Sequence, residues 1–232
     1  MRVLALDTSG RAGSVALVED GRIVEERPGD SSRTHGERLP GELAALGAPW
    51  SSIDVFAVAA GPGSFTGLRI GIATMQGLAL VSRRRVVGVS ALEAHAQLAS
   101  RELGPGALIA SWIDAQRGDV FSALYRVADA PVFTPERLVE LEAPAVADPI
   151  LTLAAWSSHH TQSATFVGDG AVRYEHAIHA GDSRRSLAAP VPIAGAIGCM
   201  AAVSAERGLA TPPALVHALY VRRPDAELHR NK

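Results

Sequence analysis

The chain has 232 residues, 47% of them hydrophobic, enough to bury a core in one large or two small domains. Its 22 basic and 24 acidic residues nearly cancel, to a net charge of −2, which excludes a basic nucleic-acid footprint over the whole surface. The single cysteine, Cys199, excludes an internal disulfide, and no uninterrupted apolar run reaches the ~18 residues of a membrane helix. The chain enters a strand at once, with no signal-peptide pattern, so the expectation is a soluble, cytoplasmic protein.

Residues 2–7 alternate and end in the turn-rich cluster Asp7-Thr8-Ser9-Gly10. Ser14–Val18 and Ile23–Glu26 read as two further strands joined by the hairpin turn Glu19-Asp20-Gly21-Arg22. After the loop at Pro28–Ser32, a helix is expected over about Thr34–Leu46. Thr34 and Glu37 have capping-box spacing, and Leu39, Leu43 and Leu46 form an apolar stripe.

The most informative stretch is 54–81, DVFAVAAGPGSFTGLRIGIATMQGLALV. A buried strand over Val55–Ala60 ends in Gly61-Pro62-Gly63-Ser64-Phe65-Thr66-Gly67, and a helix follows over 66–82 with Thr66 as its cap. Two readings of the turn fit. It can cradle an anion with its backbone N–H groups, or it can be a tight turn with a close helix–strand approach. It matches neither GxGxxG nor GxxxxGK[ST] and no lysine follows, which favours the tight turn. The helix is apolar nearly all round and carries Gly67, Gly71 and Gly77. Such a helix needs a cover on each side and points to association rather than chemistry. Its outward and inward faces cannot be told apart by pattern.

A strand over Val86–Val89 and a helix from Ser90 to about Leu103, opened by a second capping box with Glu93, complete a βββαβαβα order. Gly104-Pro105-Gly106 is the clearest boundary, giving lobes at 1–104 and 105–232. The second half repeats the first loosely. A hairpin is expected from Ala107–Ile113 and Val120–Arg126, an irregular segment at 131–149, and a helix at 150–158. A strand at Thr165–Val167 ends in Gly168-Asp169-Gly170, and a helix at 193–207 leads to a tail without regular structure from Pro212.

Residues with chemical potential are sparse. Asp7-Thr8-Ser9 can accept a metal-bound water or satisfy its own turn. The second hairpin turn, Asp114-Ala115-Gln116-Arg117-Gly118-Asp119, has one glycine and two long side chains where a phosphate clasp needs free N–H groups. Arg117 beside Asp114 and Asp119 reads as a local ion pair. His176, His179 and the pair His159-His160 lack a third converging ligand, so no metal site is expected. Cys199 reads as a small buried hydrophobe, and Ser64 lacks GxSxG context and a base. The clusters Arg83–Arg85 and Arg222-Arg223 read as solvated charges.

Two such halves around a cleft resemble the actin, sugar-kinase and Hsp70 superfamily. LALDTS at 4–9, AVAAGPGSFTGLRIGIATMQGLA at 57–79, DAQRGDVF at 114–121, VGDGA at 167–171 and ALYVRRPDA at 218–226 resemble the TsaB (YeaZ) family. The resemblance implies an α/β, two-lobed actin/Hsp70-like (ASKHA) fold with mixed sheets and a degenerate second lobe. It also implies a non-catalytic pairing subunit of the bacterial machinery that adds threonylcarbamoyl to the adenosine next to the anticodon of tRNA. The implied partners are a TsaD-like catalytic subunit, a TsaE-like ATPase and a second copy through the same surface, with tRNA met only indirectly. No cofactor is expected.

The expected partner-binding residues are Leu39, Leu43, Leu46, Arg69, Ile70, Thr74 and Met75, and the expected degenerate nucleotide cleft is Asp7, Thr8, Ser9, Asp114 and Arg117. The alternatives are an ATP-dependent transferase or kinase-like enzyme, and a metallopeptidase after the family's older glycoprotease-like label.

Overall fold

The computed structural model describes residues 1–159, 161–181 and 185–221. Arg222-Arg223, His160 and the end of the ALYVRRPDA motif lie outside them.

Strands β1 (Arg2–Asp7), β2 (Ser14–Glu19) and β3 (Arg22–Pro28) form an antiparallel meander. Helix α1 (His35–Ala45) follows. The Thr34 N–H and hydroxyl both donate to Glu37, at 2.8 and 2.7 Å, which fixes its first turn. Then come β4 (Val55–Gly61), α2 (Phe65–Val81), β5 (Arg85–Ser90) and α3 (Ala91–Ala99). Strand β4 adds parallel to β1 and β5 parallel to β4, giving the order β3-β2-β1-β4-β5. The cap of α2 is Ser64, whose Oγ accepts from Gly67 N at 3.2 Å, and not Thr66, which lies inside the first turn.

The second sheet is built from β6 (Leu108–Asp114), β7 (Val120–Val127), β8 (Leu138–Ala147), β9 (Thr165–Val167) and β10 (Ser186–Leu187), in the order β10-β9-β6-β7-β8. Read from its far edge, this is the first sheet's topology again, as expected for the actin/Hsp70-like fold. Helices α4 (Pro149–Ala155), α5 (Asp169–Arg173), α6 (Glu175–Gly181) and α7 (Ala194–Glu206) complete it.

Two stretches depart from expectation. Residues 138–147 form a ten-residue strand rather than an irregular segment. β8 is an edge strand with register shifts against β7, so it tolerates Pro144 and alternates only weakly. The short α5 starts within the expected glycine turn at 168–170, and α6 and β10 fall in the stretch before residue 193 where no element is expected.

Three apolar layers hold the molecule together. The outer face of the first sheet packs on α1 and α2 through Leu4, Leu6, Phe56 and Val58. The outer face of the second packs on α4–α6 around Trp112 and Phe166, whose rings meet edge to face at 5.2 Å. A continuous core lies between the sheets, joining Val3, Ala5, Val18 and Ala57 to Ile109, Phe121 and Tyr125 through α3 and α7. Helix α3 contacts β6 to β9, and α7 contacts β1 to β5.

The exchange is tight. Gly198 lies so close to the first sheet that a Cβ would sit 2.6 Å from Val18. The Glu26 carboxylate accepts from Gly195 N at 2.7 Å, tying β3 to the first turn of α7. A division at Gly104 therefore separates the sheets but leaves α7, and the described residues 211–221 beyond it, packed on the first. Buried Arg137 locks the join: its guanidinium donates to the carbonyls of Ser100, Leu103, Ala128 and Ala130 and to the Ser100 hydroxyl.

The glycines of α2 serve this packing. A Cβ at Gly67 would meet the Thr8 carbonyl oxygen at 2.2 Å, and one at Gly71 would meet Thr8 Oγ1 at 2.1 Å. Gly77, on the same helix, has nothing within 4 Å. Gly71→Ala should therefore cost about 1–3 kcal/mol through overpacking, whereas Gly77→Ala should gain roughly 0.5–1 kcal/mol of helix propensity. Urea unfolding of the two variants checks the opposite signs.

Candidate functional site

A cleft of about 1110 Å³ opens where the turns at one end of the two sheets meet. Its walls are the β1–β2 turn at Ser9–Arg11, the β4–α2 turn at Pro62–Ser64, the β6–β7 turn at Asp114–Arg117 and the start of α5 at Asp169. Residues 31–35 ahead of α1 and the tail residues Leu219–Val221 close the sides.

The first turn is occupied with itself. Asp7 Oδ1 accepts from Ser9 N and Ser9 Oγ at 2.8 and 2.6 Å, as in an Asx turn. Ser9 O in turn accepts from Ser64 N at 2.8 Å, which ties the glycine turn down. Thr8 points away from the cleft. It is fully buried against Gly67 and Gly71, and its hydroxyl has no hydrogen-bond partner among the described residues. Between the two readings of the GPGSFTG turn, the geometry is that of a tight turn with a close approach.

The second turn fills its own nest. Gln116 N and Nε2 donate to the two Asp114 oxygens at 3.0 and 2.8 Å, Ala115 N donates to Asp119 O, and Asp119 N to Gln116 O. The N–H groups of Ala115, Gln116 and Asp119 are thus engaged within the turn rather than turned to a phosphate. Arg117 lines the cleft, and Arg173 of α5 stands 3.5 Å from Asp114. Asp169 accepts from Asp114 N at 3.0 Å, and although its side chain reaches water, crowding by the walls pushes its carboxyl above the usual range.

Of the expected cleft residues, the structure brings Ser9, Asp114 and Arg117 together. Asp7 lies behind them on a smaller pocket shared with His95 and Asp169. Histidines 159 and 179 pair with Glu142 and Glu175, and no three metal-ligating side chains converge among the described residues. Cys199 is buried beside the Gly21 carbonyl, and burial pushes its thiol up to about 11.

The helical surface differs from the expected one. Leu39, Leu43 and Leu46 are 3 to 5% exposed and Met75 is fully buried. These four form the core between α1, α2 and the first sheet, because the apolar stripe of α1 faces its own lobe. Arg69 is exposed, and Ile70 and Thr74 are half-buried. The outward face of α2 is instead Thr66, Arg69, Ala73, Gly77, Leu80 and Val81, with Leu80 and Val81 71% and 86% exposed. Of these, sequence reasoning named only Arg69 as partner-binding. Gly67 and Gly71 carried the signal, since they mark the inward side and thus place positions 73, 77 and 80 opposite.

A family model described as TsaD: tRNA N6-adenosine threonylcarbamoyltransferase matches residues 8–225. A solved Pseudomonas aeruginosa protein, described as having similarity to peptidase YeaZ, is 30% identical, with a TM-score of 0.76 over 95% of this chain and 99% of that one. Pseudomonas aeruginosa YeaZ itself is 29% identical, with a TM-score of 0.73 over 94% and 99%. The Escherichia coli tRNA threonylcarbamoyladenosine biosynthesis protein TsaB is 40% identical over 129 residues, 54% of this chain and 55% of that protein. The chain belongs to the TsaB/YeaZ family. It spans about half the length of the curated TsaB relatives it matches. No described helix of this TsaB/YeaZ-type chain is long and apolar enough to cross a membrane.

The loops at the cleft are pinned from α1. His35 Nε2 donates to the Gly10 carbonyl at 3.1 Å while its Nδ1 faces the Arg38 guanidinium, which also bonds Ala12 O and pairs with Glu42 at 2.7 Å. Burial, and then Arg38, hold the His35 imidazole below its ordinary value. Folded His35 thus binds its proton more weakly than unfolded His35. Its contribution is complete above the unfolded pKa of about 6.5 and is lost as pH falls through the lower folded value. Unfolding free energy should decline from about pH 7 to pH 5, and less steeply in His35→Asn, as read by urea melts at stepped pH.

Proposed function

We propose that this chain serves tRNA threonylcarbamoyladenosine biosynthesis as a pairing subunit. It docks a TsaD-type transferase through the outward face of α2 and leaves the transfer chemistry to that partner. A TsaE-like ATPase joins the larger assembly, tRNA is met through the partner, and the setting is the cytoplasm. Among the expected interface residues, Arg69, Ile70 and Thr74 belong to this docking face, joined by Ala73, Gly77, Leu80 and Val81. Leu39, Leu43, Leu46 and Met75 support it from within.

The observation that carries the reading is the unshared apolar face of α2. Leu80 and Val81 lie almost bare to solvent beside small residues that let another backbone approach. The turns at the cleft favour pairing over an ATP-dependent enzyme, because the N–H groups of Ser9, Gln116 and Ser64 are spent on Asp7, Asp114 and Ser9 oxygens. The names of relatives supply the pathway: the curated TsaB proteins are called tRNA threonylcarbamoyladenosine biosynthesis proteins. A stable contact of this kind buries roughly 800 Å² on each partner.

Gel filtration with light scattering, on the chain alone and mixed with its TsaD-type partner, tests the reading. A stoichiometric heteromer should form. Leu80→Asp should weaken it by about a hundredfold or more, as a central hot spot does, with the melting temperature unchanged. A heteromer insensitive to Leu80→Asp would move the interface elsewhere, and no heteromer would remove the pairing role.

A further inference from the structure

Beyond α7 the tail runs back along the first lobe, and it is held at two strengths. From Thr211 to Val216 it is stitched down. Thr211 and Val86 exchange backbone bonds of 2.9 Å, and the Gln76 amide donates to the Pro213 and Val216 carbonyls at 2.8 and 3.0 Å. Val216 is 6% exposed, inside the core beneath α1 and α2.

From His217 to Val221 no side chain is fully buried, although Ala218 packs on the first lobe's core and Val221 on the core between the sheets. Leu219 N donates to Ala60 O at 2.7 Å, and Tyr220 leans on Phe65 with ring centroids 5.4 Å apart. Arg69 binds both rings: its guanidinium lies 3.8 Å over Phe65, and its Nε donates to Tyr220 OH at 3.1 Å. Leu219 and Tyr220 remain 53% and 44% exposed. The receiving surface is shaped for this segment. Gly61 adopts φ +126, and a Cβ there would lie 2.7 Å from the Leu219 carbonyl oxygen. Leu219, Tyr220 and Val221 also form one wall of the cleft, beside Pro62–Leu68.

We infer that residues 217–221 are a hinged strap, anchored at Val216, that docks on the β4–α2 turn and sets the width of the cleft mouth. Docked, the strap covers the Ala60 carbonyl, the Phe65 ring and the flank of Leu68. Released, it bares all three to the cleft, while the upstream stitching keeps it tethered. The two positions are separable because every side chain of 217–221 stays at least partly exposed, whereas Val216 is buried, and a segment without fully buried side chains opens locally without the rest unfolding. The inference stands on the tail's own contacts and holds whether or not α2 docks a transferase.

Hydrogen exchange followed by NMR on the full chain tests it. The Leu219 amide should exchange at least about tenfold faster than the amides of Val86 and Thr211, as a local opening requires. Tyr220→Ala should speed Leu219 by about a further tenfold and leave Val86 and Thr211 unchanged. Tyr220→Phe, which keeps the ring and loses the acceptor for Arg69, should fall between. A second readout addresses the cleft: in a Cys199→Ala background, the thiol of Leu68→Cys should react with a small disulfide reagent several-fold faster when Tyr220→Ala is added. A Leu219 amide as slow as Val86 and indifferent to Tyr220→Ala would make the segment a fixed wall. Equal thiol reactivity with and without Tyr220 would show that its release does not open the cleft.

Discussion

The structure depends on one close backbone approach, that of α2 to the turn after β1. Thr8 fills the space that side chains at positions 67 and 71 would need, so only glycine at those positions lets the helix lie down on the turn. That contact fixes which side of an almost uniformly apolar helix faces inward. It therefore fixes the outward side as well, with Ala73, Gly77, Leu80 and Val81 left to solvent. The same contact ties the glycine turn to Ser9 and so shapes one wall of the cleft. Packing, surface and cleft geometry are three consequences of one constraint.

The second organising feature is the middle layer. Each sheet's closing helix is shared: α3 reaches across to the second sheet, and α7 returns to the first. The apolar core between the sheets is continuous, and Arg137 binds four carbonyls at the join although no carboxylate among the described residues pairs with it. The guanidinium is held instead by those carbonyl oxygens and the Ser100 hydroxyl, two of the carbonyls lying where α3 ends at Ser100–Leu103. The two halves repeat one topology, yet neither buries its inner face without a helix shared with the other.

Much of this was legible in the chain. The capping residues Thr34, Glu37, Ser90 and Glu93 marked helix starts that the structure reproduces, and the first lobe's strands and their βββαβαβα order were readable from apolar runs and turns. The family motifs in both halves pointed to the repeated sheet. What failed did so for physical reasons. Leu39, Leu43 and Leu46 form a clean stripe, but a stripe only says that a face is buried, not what buries it, and here it is the chain's own core. Strand β8 hides behind Pro144 because edge pairing tolerates what a central strand would not. The tail's return to the first lobe rests on single contacts far apart in sequence, such as Gln76 with Val216 and Arg69 with Tyr220, which no local pattern encodes. At the cleft, the long side chain expected at Gln116 is the one that bonds back to Asp114.

The central claim is that α2 presents an inward face to its own lobe and an outward face to a partner. Site-directed photo-crosslinking tests it most directly, with a photoreactive residue placed at Gly77 on the outward face or at Leu151, which is 65% exposed on the second lobe. With the TsaD-type subunit added, the account expects a crosslinked heterodimer from position 77 and none from 151. A product from 151 with none from 77 would contradict it, and would place the partner on the second lobe.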